Sequence, residues 1–339
     1  MLPLRTDRLV VRAMLPTDAH TVAAYRNDPD IAAMQDWDMP YTVERAHAML
    51  AHQADRHDLQ PGDWTSLALE LDGELIGDVA VRLDDTGSVA EIGYTLRREF
   101  HGHGYAREAV AAAVDHVIAT TDVHRFEASL DPQNVASMRV LESIGFTFES
   151  LTRQSYFMRG EWYDDLRYAL LRDDRAAWLA RPATPPRHVE LVEITPDDAY
   201  LWGRLATHHS QQRFVATMPL SFRDALFPEI VDGAPVVPWM RGVMADDQRG
   251  GFVMLADVTA HHPEPFLWRL LVDRMHQRRG IGRRVIDLVV DRLRAEGHRS
   301  LLTSWVGGLP GTPEPFYLGL GFVPTGAMDG AETVARLSW

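Results

Sequence analysis

The chain has 339 residues, 46% of them hydrophobic, with 34 basic and 48 acidic side chains and a formal net charge of −14. That length suits two domains of ordinary size, each with enough apolar material for its own core. Every basic residue is arginine and there is no cysteine, which excludes disulfides, thiolate metal sites, a cysteine acyl-enzyme and lysine Schiff-base chemistry.

No apolar run reaches membrane-spanning length, and the opening MLPLRTDRLVVRA has no signal-peptide pattern. The expectation is a soluble, cytoplasmic protein with no membrane partner. Residues 1–180 hold 17 Arg and 30 acidic residues, and residues 181–339 hold 17 and 18. An acidic surface repels nucleic acid and suits a cationic ligand of the first half.

In chain order, Leu9 to Arg12 reads as a strand and Pro16 to Ala19 as a turn into a helix. Thr42-Val43-Glu44 starts a second helix. Thr65 to Glu70 and Glu74 to Leu83 are strands joined by the turn signal Leu71-Asp72-Gly73. Glu91 to Leu96 is a strand running into His101-Gly102-His103-Gly104-Tyr105-Ala106, and a helix over 105–119 follows. A strand at His124 to Leu130, a helix at Ala136 to Ser143 and a hairpin turning at Arg159-Gly160 complete the first domain, placed at 1–178. Residues 179–187, with Pro182, Pro185 and Pro186, read as a stiff linker.

The second domain, 188–339, repeats the plan: a strand at Val189 to Ile194, a helix at Asp197 to Thr207, then paired strands at Gly251 to Thr259 and Phe266 to Val272. The loop Gln277-Arg278-Arg279-Gly280-Ile281-Gly282 opens a helix that stops at Gly297. Leu301 to Trp305 is a strand and Pro315 to Leu320 a short helix. A Gly-Phe pair stands 41 residues after Gly104 and again 41 residues after Gly280. Strand, glycine loop, helix and distal Gly-Phe in matched register indicate a duplicated α/β domain, each copy a mixed sheet with flanking helices.

Glycines at the mouth of a helix let the backbone curl so that several N–H groups converge, and with the helix dipole they make an anion site. A Walker loop requires lysine, and a dinucleotide fold requires a different glycine spacing early in the domain. Both loops instead resemble the acetyl-CoA pyrophosphate loop of the GNAT acyltransferase superfamily, Gln/Arg-x-x-Gly-x-Gly/Ala. The second copy matches at Gln277, Gly280 and Gly282, and the first at Gly104 and Ala106 with His101 in place of Gln or Arg. LRTDRLVVRAMLPTDA, AEIGYTLRREFHGHGYAREAV and NVASMRVLESIGF resemble the RimJ/RimL branch, which acetylates protein N-termini and small amines. SQQRFVA, FLWRLLVDRMHQRRGIG and PFYLGLGF resemble polyamine and other small-amine acetyltransferases.

The resemblance implies acetyl-CoA as cofactor, held by residues 101–106 and 277–282 and by Thr95, Leu96, Asn134, Leu270 and Val272. Acyl transfer to an amine needs a base and an acid for the departing thiolate. The resemblance offers Glu91 as base in the first domain, Ser137 beside Asn134 near the sulfur, and Tyr317 as thiolate acid in the second. Each has a plainer reading: a solvated strand-end carboxylate, a helix cap and a packed aromatic. Where Asn134 would recur, Val306-Gly307-Gly308 stands, so the first domain presents the fuller catalytic set. Glu264 is a further base candidate, and Trp37 and Tyr41 are expected to line a pocket. The histidine pairs approach no zinc motif, so no metal is expected. The expected activity is direct acetyl transfer to a primary amine of a small cationic metabolite or antibiotic. Protein N-terminal acetylation and a non-catalytic acyl-CoA-binding scaffold are the alternatives. A monomer is mildly preferred to a homodimer, since two fused domains replace one.

Overall fold

The computed structural model describes residues 2–54, 59, 61–231 and 233–339. The chain divides into two compact units, Met1–Leu179 and Ala180–Trp339. Among the described residues, no helix is long and apolar enough to cross a membrane.

The first unit runs β1 (Leu4–Arg5), β2 (Val10–Ala13), α1 (Ala19–Arg26), α2 (Pro29–Ala32), α3 (Val43–Ala54), β3 (Trp64–Leu71), β4 (Glu74–Leu83), β5 (Val89–Leu96), α4 (Tyr105–Thr120), β6 (Arg125–Leu130), α5 (Val135–Ile144), β7 (Thr147–Met158), β8 (Glu161–Leu171) and α6 (Arg172–Ala180). The strands form one sheet in the order β1-β2-β3-β4-β5-β6-β8-β7. Ala109, Val110, Ala113, Val114 and Val117 recur at helical spacing and bury one side of α4 in the main core. The turns at Asp72-Gly73 and Arg159-Gly160 put both central residues at positive φ, the twist that two-residue hairpins require.

The second unit runs β9 (Val189–Val192), α7 (Ala199–Trp202), α8 (Met218–Leu226), β10 (Ile230–Val231), β11 (Ala234–Pro235), β12 (Pro238–Ala245), β13 (Gln248–Ala256), β14 (Phe266–Val272), α9 (Ile281–Ala295), β15 (Ser300–Trp305), α10 (Glu314–Leu318), β16 (Val323–Asp329) and β17 (Glu332–Ser338). Seven strands form a sheet in the order β16-β17-β15-β14-β13-β12-β9, and β10-β11 pair separately. Ile281, Val285, Ile286, Val289, Val290 and Leu293 bury the inner face of α9. The helix expected over 197–207 is confined to Ala199–Trp202, beyond which Arg204 and Leu205 donate to the Leu201 and Trp202 carbonyls in tighter three-residue turns. Residues 180–187 do not hang free: the Thr184 and Pro186 carbonyls accept from Arg279 and Arg284 of the second unit at 2.7 and 2.9 Å.

Each sheet has one parallel pair, and each pair opens. β5 and β6 meet from Val89↔Arg125 to Glu91↔Glu127, after which Ile92 to Leu96 has no partner on that side. β14 and β15 meet only at Phe266↔Leu302 and Leu267↔Thr303. The result is a fork in the middle of each sheet, edged by backbone groups without ladder partners. The strand on the other side of β5 and β14 carries a glycine opposite its last residue, Gly77 against Leu96 and Gly251 against Val272. A Cβ there would stand 2.2 Å from the Thr95 carbonyl oxygen or 2.4 Å from that of Leu271, so only glycine admits the approach.

Candidate active site

Each fork ends at a glycine loop and the start of a long helix. Gly104 and Gly280 are the N-caps of α4 and α9, in left-handed conformation at φ 81° and 78°. A glycine cap covers none of the unpaired N–H groups of the first turn. Those of Tyr105 and Ala106, and of Ile281 and Gly282, stand at the mouth of their fork, in an arrangement that suits phosphate oxygens. A Cβ on Gly280 would meet nothing within 4 Å, and one on Gly104 only Arg8 at 3.6 Å.

Loop shape is held by one repeated hydrogen bond. Gln277 Nε2 donates to the Val272 carbonyl at 3.1 Å, and His101 Nε2 lies 2.8 Å from the Leu96 carbonyl. Both span five residues back to the last residue of the strand. A carbonyl only accepts, so His101 carries its proton on Nε2 and does the work of the amide. Gly102, at φ 80°, corresponds to Arg278, which adopts φ 64° despite its side chain. His103 stacks on Tyr105 at 5.7 Å, and the Arg8 guanidinium lies 4.4 Å from the Tyr105 ring centre. Arg8 also donates to the His103 carbonyl at 2.9 Å and pairs with Glu108. Arg8 is a cation at the first loop that the motif did not reveal. Arg279 is turned elsewhere: 4% exposed, it donates to Thr184 and to His276 Nδ1 at 2.8 Å. Only its backbone belongs to the loop. Burial holds His276 below the ordinary imidazole range, in keeping with Nδ1 as acceptor.

In the first fork, Glu91 sits on β5 at the last parallel pair and is bound to Arg82 of β4. Asn134 caps α5 by accepting from the Ser137 N–H at 3.0 Å. Asn134 therefore caps the helix while standing at the fork. Tyr94 donates from β5 to the Ser137 carbonyl at 3.1 Å, tying the two sides of the fork together. Burial pushes the Tyr94 phenol well up, so it stays protonated. Thr95 and Leu96 are buried at the strand end. The Trp37 and Tyr41 rings meet edge to face with centres 6.1 Å apart, and the Arg26 guanidinium lies 4.8 Å from each, beside buried Asp78.

The second fork opens into a cavity of about 1390 Å³. Leu270 and Val272 line it, with Gln277, Arg278, Gly280, Ile281, Gly282 and Arg283 at the loop and Tyr317 from α10. Leu270 stands two residues before the strand end, as Tyr94 does in the first unit, and carries no hydroxyl to cross the fork. β14 also has a bulge, since Met254 pairs with Arg269 and Leu255 with Leu267, which leaves Trp268 as the extra residue. Tyr317 stacks on Trp305 with ring centres 5.5 Å apart. Burial raises its phenol to about 12, against a hydrogen bond to Thr303 that lowers it. Glu264, Asp329 and Glu332 are further lining residues. Glu264 is held by Arg336 at 2.9 and 3.1 Å, and Glu332 accepts from the Ser304 hydroxyl. Glu332 escaped the sequence because its partner lies 28 residues away, on a strand with no motif.

Family models match both units. Residues 8–147 match the acetyltransferase (GNAT) domain, and residues 202–313 match the acetyltransferase (GNAT) family. The uncharacterized N-acetyltransferase p20 of Bacillus licheniformis is 30% identical over 175 residues, 51% of this chain and 98% of that protein. The [ribosomal protein uS5]-alanine N-acetyltransferase of Escherichia coli is 26% identical over 178 residues, 50% of this chain and 91% of the enzyme. Among solved structures, Mycobacterium smegmatis RimJ in complex with CoA-disulfide is 25% identical, with a TM-score of 0.45 over 49% of this chain and 83% of that one.

Proposed function

The chain belongs to the GNAT acetyltransferase family and carries two of its domains in tandem, and from that premise we propose that it moves the acetyl group of acetyl-CoA directly to the primary amine of a small cationic metabolite or antibiotic. The observation that carries this is the second fork: a glycine-capped helix start, a strand pair that separates, and a cavity between them lined by both arginine and carboxylate. The loop N–H groups with Arg278 and Arg283 suit the phosphates of coenzyme A, and the fork edges suit its amide-bearing arm. Bound there, acetyl-CoA supplies an activated acyl group. The protein's part is to position it, shield it from water and move protons. Tyr317, protonated at neutral pH, is placed to hand its proton to the departing sulfur.

The carboxylates of Asp329 and Glu332 on the cavity wall suit a cationic acceptor. The second reading, N-terminal acetylation of a protein, is supported by the likeness to the uS5-alanine enzyme. The sequence motifs favour the first unit for turnover, whereas the uncrossed fork and its cavity favour the second. Calorimetric titration of acetyl-CoA into the wild type, Gly104→Asp and Gly280→Asp tests the assignment. Each change sets a carboxylate where phosphate would lie. We expect Gly280→Asp to remove the tighter binding event and Gly104→Asp to leave it intact. No heat of binding in the wild type would end the acetyltransferase reading for this chain.

A further inference from the structure

We propose that Glu332 of β17 is the base that accepts the acceptor ammonium's proton in the second unit, working across the sheet from Tyr317; this rests on the acetyl-transfer reading above. Strand alternation supplies the argument. Tyr317 engages Thr303 and stacks on Trp305, so those two residues of β15 face α10. Ser304, between them, faces the opposite side of the sheet. It pairs in register with Val334, and Glu332, two residues earlier on β17, is the diagonal neighbour on that same face. The Ser304 hydroxyl donates to Glu332, and both line the cavity beside the point where β14 and β15 separate. An acid thus reaches the fork from one face and a carboxylate from the other, through adjacent residues of one strand.

Glu332 differs from the other carboxylates considered for this role. Glu264 is neutralised by Arg336, and Glu91 in the first unit by Arg82. Among the described residues, Glu332 has a hydroxyl partner and no cationic one. Its register neighbour Asp329 adds a second negative charge facing the same cavity. An alkyl ammonium, with a pKa of about 10.4, must lose a proton before its nitrogen can attack. Glu332 takes that proton and releases it to water. The C–N bond then forms as the C–S bond breaks, Tyr317 protonates the sulfur, and the second proton lost by nitrogen restores Tyr317 through solvent.

The test uses two nucleophiles with the full-length protein carrying Gly104→Asp, so that the first loop is silent. Thiol release from acetyl-CoA is followed with 1,4-diaminobutane, which is protonated at neutral pH, and with hydroxylamine, which is already neutral. Glu332→Gln should slow the diamine reaction by about 100-fold, the scale of a general base, and the hydroxylamine reaction by less than about threefold. Acetyl-CoA affinity should stay within about threefold. An equal loss with both nucleophiles, an unchanged diamine rate, or lost acetyl-CoA binding in the variant would each overturn the proposal. So would a Glu332-containing protein that uses hydroxylamine but never the diamine. If that parent protein fails to bind acetyl-CoA at all, it is the acetyl-transfer reading of the second unit that falls.

Discussion

The two units share a scaffold and differ at the fork. In the first, the fork is crossed by the Tyr94–Ser137 hydrogen bond, and Glu91 is tied to Arg82. In the second, Leu270 leaves the passage uncrossed, β14 bulges at Trp268, and Glu332 keeps a neutral partner beside a cavity of about 1390 Å³. Duplication has preserved what shapes the backbone and released what fills the space. The same strand, loop and helix geometry therefore does not guarantee the same site.

The shared scaffold is the part whose loss should cost most. Gly77→Ala and Gly251→Ala each force a Cβ against a backbone carbonyl and should destabilise their unit by about 3 kcal/mol, read by chemical denaturation. Gly93→Ala, whose Cβ meets nothing closer than 4.0 Å, is the control and should change stability by less than about 0.5 kcal/mol. Equal effects at all three positions would remove the close-approach argument.

The difference at the fork is sharpened by exchanging its residues. Leu270→Tyr should weaken acetyl-CoA binding to the second unit about tenfold, or about 1.4 kcal/mol, and Tyr94→Leu should improve binding to the first. If calorimetry registers neither change, the tyrosine does not separate the two units. A smaller effect is expected at the loop brace. His101→Ala and Gln277→Ala should each cost about 1 kcal/mol, whereas His101→Gln, which restores an amide donor, should be nearly neutral in thermal melts.

The smallest effect concerns pH. His276 titrates lower folded than unfolded, because burial disfavours its charged form and Arg279 occupies Nδ1. Below the ordinary histidine pKa of about 6.5 the unfolded chain takes the proton first. That contribution is present above about pH 6.5 and declines as the pH falls toward the folded value. His276→Gln should flatten this part of the second unit's stability–pH curve; an unaltered slope would show that His276 contributes nothing to it.

Much of the architecture could be read from local pattern. The loop–helix junctions, the hairpins at Asp72-Gly73 and Arg159-Gly160 and the apolar faces of α4 and α9 follow from glycine stereochemistry and helical spacing. Residues 217–250 are poorly legible in the sequence. Val231 and Val236 at the β10–β11 hairpin reach the second cavity, α8 packs Met218 and Phe222 beside Trp202, and β12 takes its place by pairing with both β13 and β9. Trp37 and Tyr41 read as pocket wall, and the sequence gives no sign that both rings gather at the buried guanidinium of Arg26.

By itself, then, the sequence determined the duplicated fold, the family and the two anion-binding helix starts, because each rests on residues close together in the chain. The tertiary structure decided that Tyr94 crosses the first fork while Leu270 leaves the second uncrossed, that His101 substitutes for a glutamine, that Arg279 faces away from the loop, and that Glu332 meets Ser304. Each of those depends on side-chain direction or on strand register between distant segments. A shift of one residue in that register would carry Glu332 to the other face of the sheet, and nothing in the neighbourhood of Glu332 along the chain specifies the pairing.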